Sequence, residues 1–156
     1  MDLDIELVLA HVNPDERLFG HKAALEEAGI KFDEDLLFEG NYIHEGGSLG
    51  LTELLHRGKK FTALVCSNDE MASGAMSTAR KLGFDLPRDL SVIGFDNIVY
   101  SSYLFPTLTT INYPVLPMAK MAVDMILQDV YEHGDITVTN TFSPKLVERN
   151  SVIDVR

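Results

Sequence analysis

The sequence predicts an α/β domain: a three-layer α/β/α arrangement built on a parallel sheet. Three observations predict it. Short apolar runs alternate with helix-period segments, the runs recur about every 28 residues, and a glycine stops each of the first three helical segments. That recurrence is the length of a βα unit, and βα alternation places helices on both faces of a parallel sheet. The period is structural, with no repeat in the residues themselves.

The elements follow in order. Ile5 to Ala10 is an apolar strand. Pro14 to Ala28 is a helix, with Leu18, Ala24, Leu25 and Ala28 on one face and Gly29 as its stop. Asp35 to Glu39 reads as a short strand, and Glu45 to Arg57 as a helix closed by Gly58. Thr62 to Cys66 is a strand, Asp69 to Leu82 a helix stopped by Gly83, and Leu90 to Phe95 a strand after a turn at Pro87. Beyond Pro106 the pattern changes. Leu108 to Tyr113 is extended, Val115 to Glu132 is a long amphipathic helix, and 132–135 is a turn. Val138 to Phe142 reads as a strand, and Leu146 to Val152 as a last strand or extended tail.

Composition removes several classes of function. With 156 residues, 46% of them hydrophobic, the chain can bury a core. No run approaches the roughly 20 apolar residues of a membrane span, and the N-terminal residues do not read as a signal peptide. A single cysteine, Cys66, rules out an internal disulfide and suits a reducing cytoplasm. The net charge of −11 and the lack of a basic patch argue against nucleic-acid binding by this chain alone. The run Arg57-Gly58-Lys59-Lys60 is better read as the cationic end of a helix.

Catalytic and metal signatures are thin. The five histidines form no His-x-x-x-His pair and no zinc-type cluster with cysteine. There is no nucleophile elbow and no phosphate loop. Cys66 lies within an apolar strand and reads as inert. No enzyme activity, cofactor or metal is expected.

In open parallel sheets, ligands bind beyond the carboxyl ends of the strands. That rule selects Asp15-Glu16-Arg17, Gly40-Asn41-Tyr42, Ser67-Asn68-Asp69 and Asp96-Asn97. Amide, carboxylate, guanidinium and aromatic groups are the mixture that sugar recognition needs. Planar polar groups bond vicinal hydroxyls, and a ring covers the apolar face of the sugar. Plainer roles exist for each. Asp69 or Asn68 could cap the helix that starts there. Arg17, a cation in a first helical turn, needs a carboxylate such as Glu16 or Asp96, or a ligand. Tyr42 could be a rim residue or a core anchor. Asp96 ends an apolar strand, where an unpaired carboxylate is costly.

The run Phe61-Thr-Ala-Leu-Val-Cys-Ser-Asn-Asp-Glu-Met-Ala-Ser-Gly-Ala-Met76 resembles the lactose/galactose repressor family of bacterial transcriptional regulators. So do Leu90-Ser-Val-Ile-Gly-Phe-Asp-Asn97 and Pro106-Thr-Leu-Thr-Thr-Ile111. The segments Arg17-Leu-Phe-Gly20 and Ala24-Leu-Glu-Glu-Ala-Gly-Ile30 also match. The tail Phe142-Ser-Pro-Lys-Leu-Val-Glu-Arg-Asn-Ser-Val152 is similar to the galactose repressor and isorepressor branch.

The resemblance implies a periplasmic-binding-protein-like, Rossmann-like fold, of which this chain is the second lobe. It implies a homodimeric parent repressor that reads operator DNA through an N-terminal headpiece and senses a galactose-like sugar between two lobes. Arg17, Asn68 and Asp96 match the polar sugar-holding positions, Tyr42 the stacking position, and Tyr113 a ligand-touching position at a crossover. Asp69 matches a residue beside the site, consistent with a helix cap. Segments near Gly46 to Leu55 and Asn97 to Phe105 match the dimer interface, with Tyr100, Tyr103, Leu104 and Phe105 supplying apolar surface. Asn97 stands where relatives commonly have an aspartate.

On this basis residues 1–113 belong to the second lobe, 114–140 cross to a first lobe, and 141–156 return. The headpiece, hinge and most of the first lobe are expected to be missing from the chain. The helix Val115 to Glu132 would then present Met118, Met121, Ala122, Met125 and Ile126 without a core, and would associate, swap or fold back. The alternative is a stand-alone sugar-binding or dimerisation module.

Overall fold

A computed structural model describes residues 14–131, 137–139 and 141–154. The strand expected at Ile5 to Ala10 and the turn at 132–135 lie outside the described residues. The sheet has four strands in the order β1 (Ala63–Val65), β2 (Ser91–Asp96), β3 (Thr109–Asn112), β4 (Lys145–Val147). The first three run parallel, and β4 closes the edge antiparallel to β3. The register sets Asp96 opposite Asn112, so the carboxyl ends of β2 and β3 meet side by side.

The helices are α1 (Pro14–Glu27), α2 (His44–His56), α3 (Asp69–Lys81) and α4 (Val115–Tyr131). Proline at the first helical position of α1 loses no intrahelical bond. Helix α1 ends at Gly29 (φ +72°), where Ile30 N–H donates to Leu25 O at 2.8 Å. Helix α3 ends in the same way at Gly83 (φ +90°), with Phe84 N–H on Ala79 O at 3.0 Å. Both left-handed positions suit a residue without a Cβ, as the glycine stops in the sequence required.

The core lies between β1–β3 and the α2/α3 pair. Leu51 and Leu54 of α2, Met71 and Met76 of α3, and Leu64, Val92 and Leu108 are all buried. The two helices touch backbone to backbone. A Cβ on Gly47 would strike the Met71 carbonyl, and one on Gly74 the His44 carbonyl. The Ser48 hydroxyl donates to Gly74 O at 3.1 Å in the same crossing. The pairs Gly46-Gly47 and Ser73-Gly74, featureless as motifs, are thus the small side chains that this approach demands.

Four expectations change. Asp35 to Glu39 is not a strand. Asp33 accepts from Asp35 N–H and starts a single 3₁₀ turn over Glu34–Leu36. The described residues of 138–142 form no strand; pairing on that side of β3 is taken by Lys145–Val147. On α1, Leu25 is buried, but Ala24 and Ala28 are exposed. The less exposed side chains of the helix are Arg17, Leu18, His21, Ala23 and Leu25. Finally, α4 does not fold back. None of its described side chains is buried, and Leu116 is 82% exposed.

Candidate functional site

Helix α3 begins just beyond the end of β1, and its cap settles the roles of Asn68 and Asp69. Asn68 is extended (φ −150°, ψ 170°), and its Oδ1 accepts from Met71 N–H at 2.9 Å. Its Nδ2 donates to Tyr42 O at 2.8 Å. Asn68 is therefore the N-cap and also pins the loop that carries Tyr42. Asp69 is not the cap. It is the first residue of α3 and fully buried, with its carboxylate turned under the sheet ends. There it accepts from the Thr110 hydroxyl at 2.5 Å and from Ile98 N–H at 2.9 Å. Burial raises its pKa, and these two donors oppose the rise. Gly94 lies beneath it, where any Cβ would collide with the carboxylate.

Arg17 comes to the same edge from α1. Its Nη1 donates to Ser67 O at 2.8 Å, and its guanidinium stacks 3.9 Å from the Phe95 ring centroid. Phe95 packs on Tyr113 with centroids 5.8 Å apart. The first-turn cation thus finds a carbonyl and an aromatic face, and Asp96 acts on it through space.

Asp96 ends β2 at φ +111° and Asn97 follows at φ +57°. Both are left-handed, a conformation that L residues adopt at a cost of about 1–3 kcal/mol when the surroundings enforce it. Burial raises the Asp96 pKa, and the Arg17 charge pulls it back. Tyr42, itself at φ +65°, carries a buried hydroxyl with no hydrogen-bond partner among the described residues. Burial raises its phenol pKa first, Arg17 lowers it, and Asp96 raises it again. The three groups therefore share one electrostatic environment: a phenol, a cation and a part-buried carboxylate. Such a set can receive hydroxyls that both donate and accept.

A cleft of about 700 Å³ opens here, lined by Asp96, Asn97, Val99, Asn112, Tyr113 and the start of α4. That volume lies within the usual range for small-molecule sites, about 300–1,000 Å³. The structure thus brings Asp96 and Tyr113 into one cleft. Arg17 and Tyr42 act on Asp96 from outside its lining, and Asn68 organises the loop. Tyr42 carries a buried hydroxyl. Sequence reasoning missed Phe95, Thr110 and Asn112.

Among the residues matched to the dimer interface, Tyr103 and Phe105 are 77% and 78% exposed. Tyr100 and Leu104 are half-buried, and Leu104 packs against the core. A 3₁₀ helix, Val99–Ser102, leads into this segment. Among the described residues, no helix is long and apolar enough to cross a membrane, and no His/Cys/Asp/Glu group is arranged to hold a metal.

The periplasmic binding protein-like domain family matches residues 5–152, and the chain belongs to that family. It is 43% identical to the HTH-type transcriptional regulator GalR of Escherichia coli K12 over 138 residues, 88% of this chain and 40% of that protein. It is 37% identical to the HTH-type transcriptional repressor PurR of Proteus mirabilis, with 88% and 40% covered. Among solved structures, a sugar-binding transcriptional regulator of the LacI family from Escherichia coli, complexed with phosphate, superposes with a TM-score of 0.87. That pair is 37% identical, covering 97% of this chain and 55% of the other. The chain spans about two fifths of the length of the curated relatives it matches.

Proposed function

We propose that this chain is the effector-sensing and dimerising part of a bacterial transcriptional repressor of sugar metabolism, taking a galactose-type sugar. The observation that carries the reading is the convergence of Arg17, Tyr42 and Asp96 at the carboxyl end of β2, beside the cleft that holds Tyr113. The buried Tyr42 hydroxyl, without a partner among the described residues, supports it, since an unmet polar group costs about 1–3 kcal/mol until something bonds it. A sugar hydroxyl can donate to Asp96 and accept from Arg17 or Tyr42. The 43% identity to GalR favours galactose over other sugars.

The role is binding and not catalysis. The parent reads operator DNA in the cytoplasm through a headpiece, and this acidic lobe biases it. Two copies meet through the exposed Tyr103 and Phe105, and Val99 and Leu49 of α2 are exposed as well. Residues 114–140 cross to a facing lobe, and 141–156 return.

The test is a titration of the ¹⁵N-labelled chain with D-galactose, D-fucose and D-glucose. Amide shifts at Arg17, Asp96 and Tyr113 that saturate with galactose and fail in Asp96→Asn support the reading. No saturable shift with any of the three sugars when the facing lobe is also present would overturn it.

A further inference from the structure

We infer that Arg149, on the return segment after β4, is a positioning residue that holds the Asp96 carboxylate at the cleft; the inference rests on the effector reading above. Two consecutive non-glycine residues at positive φ, Asp96 and Asn97, do not stay so unless neighbours over-determine them. Asn97 shows what does so. Its Nδ2 donates to Asn112 Oδ1 at 3.0 Å, and its Oδ1 accepts from Arg149 Nη2 at 2.7 Å. The first partner lies on the adjacent strand. The second reaches across 52 residues of sequence.

Arg149 is anchored at the other end. Its Nη1 donates to Leu108 O at 2.6 Å and to the Ser101 hydroxyl at 3.2 Å. Its backbone N–H donates to Thr109 Oγ1 at 2.9 Å. Two residues on, the Ser151 hydroxyl donates to Val92 O at 2.6 Å and accepts from Thr109 N–H at 2.8 Å. The tail is thus fastened along β2 and β3, and one planar guanidinium spans the Asn97 turn, the start of β3 and the 3₁₀ helix. A fork with fixed directions can satisfy three acceptors at once, whereas an ammonium cannot reproduce that geometry. Asn97 is matched to this place. An aspartate would accept from Arg149 but could not donate to Asn112.

The same guanidinium touches Ser101, which lies two residues before the exposed Tyr103. Arg149 therefore ties the turn that aims Asp96 to the segment presenting the proposed dimer patch.

The test compares ¹⁵N-labelled wild type with R149K, R149M, N97G and S151A. R149K and R149M are expected to displace the amide resonances of Asp96, Asn97, Ile98 and Ser101 while those of α2 stay fixed. In N97G the backbone keeps its φ without strain but the amide is gone, and the resonances of Asp96 and Ile98 move as in R149K. S151A loosens the tail, lowers Tm and leaves residues 96–98 unmoved. For galactose, the dissociation constant rises about tenfold in R149K and stays near wild type in S151A. The inference fails if R149K leaves residues 96–98 at their wild-type positions, or if S151A moves them as far. Should R149M not fold, R149K and N97G decide. A wild type blind to galactose even with the facing lobe present would sink the sugar reading, while the amide shifts would still decide whether Arg149 holds Asp96.

Discussion

The Arg17 guanidinium lies 3.9 Å from the centroid of the Phe95 ring, so a first-turn cation of α1 is fixed flat against the end of β2. Stacking of this kind contributes about 0.5–1 kcal/mol, more when desolvated. Because one of its N–H groups is also spent on Ser67 O, the guanidinium has little freedom left. Phe95→Leu is therefore expected to weaken galactose binding by about two- to fivefold in calorimetry. Arg17→Lys removes the same stack from the other side. The double variant should lose less than the two single losses added together, because both delete one interaction. Full additivity would show that Phe95 and Arg17 act separately.

Asp69 is a fully buried carboxylate with two donors. Asp69→Ala leaves Thr110 and Ile98 N–H unmet and is expected to cost about 3 kcal/mol in urea denaturation. Thr110→Val removes one donor and should cost about 1–3 kcal/mol. Burial raises the Asp69 pKa, so its ionised form is the penalised one. Its contribution is present below the ordinary carboxylate range and is lost as pH rises through the folded value. The Ala variant should therefore lose the most relative to wild type at acidic pH.

His21 has the opposite sign. Burial first, and Lys22 second, lower its pKa from 6.5 to about 4. Its ring meets Phe32 edge-on at 6.2 Å, and its Nε2 is buried with no hydrogen-bond partner among the described residues. The folded state thus binds fewer protons than the unfolded state between those values. His21 contributes stability above pH 6.5 that disappears as pH falls toward 4. His21→Phe should flatten thermal stability across that window and raise Tm slightly at its acidic end. An unchanged slope would place the acid sensitivity elsewhere.

Much of this architecture was legible in the residues. Glycine stops fixed the ends of α1 and α3 because only a left-handed residue closes those turns. Strand-end chemistry pointed to Asp96 because a parallel sheet directs its carboxyl ends to one side; Tyr42 was selected through a strand at 35–39 that does not form. What escaped was set by distant partners. Asn68 and Asp69 are adjacent and both able to cap; the choice turned on Thr110, which lies 41 residues away. Arg149 stood in a recognised tail with no assigned role, since its acceptors come from three other segments. The 3₁₀ turn at Glu34–Leu36 hinged on one side-chain bond from Asp33, too local for an apolar pattern to reveal.

Gly47 and Gly74 set the distance between α2 and α3. The obstacle to a Cβ at each is a backbone carbonyl, which cannot turn aside as a side chain could. Alanine at either position must push the helices apart and loosen Leu51, Leu54 and Met71. Each substitution should cost about 1–3 kcal/mol despite the better helix propensity of alanine. Gly20 makes the control: nothing among the described residues would meet its Cβ, and Gly20→Ala should stabilise by about 0.5–1 kcal/mol. Equal effects at all three positions would show that propensity, not packing, governs them.

Helix α4 leaves a seam in the open. Leu116, Ala119, Val123, Ile126 and Val130 follow 3-4-3-4 spacing, and all five are exposed. That spacing lines apolar side chains along one face and fits the holes of a facing helix. Each large side chain covered there would gain about 1.5–3 kcal/mol, enough to drive association at modest concentration. A second copy of the chain carries the matching seam, so the chain should self-associate in sedimentation velocity as concentration rises. Val123→Glu with Ile126→Glu should restore the monomer. The same change should leave the unfolding of the β-sheet core within about 0.5 kcal/mol of wild type, because neither residue touches it. If association persists in that variant, the exposed Tyr103 and Phe105 patch holds the copies together and the α4 seam does not.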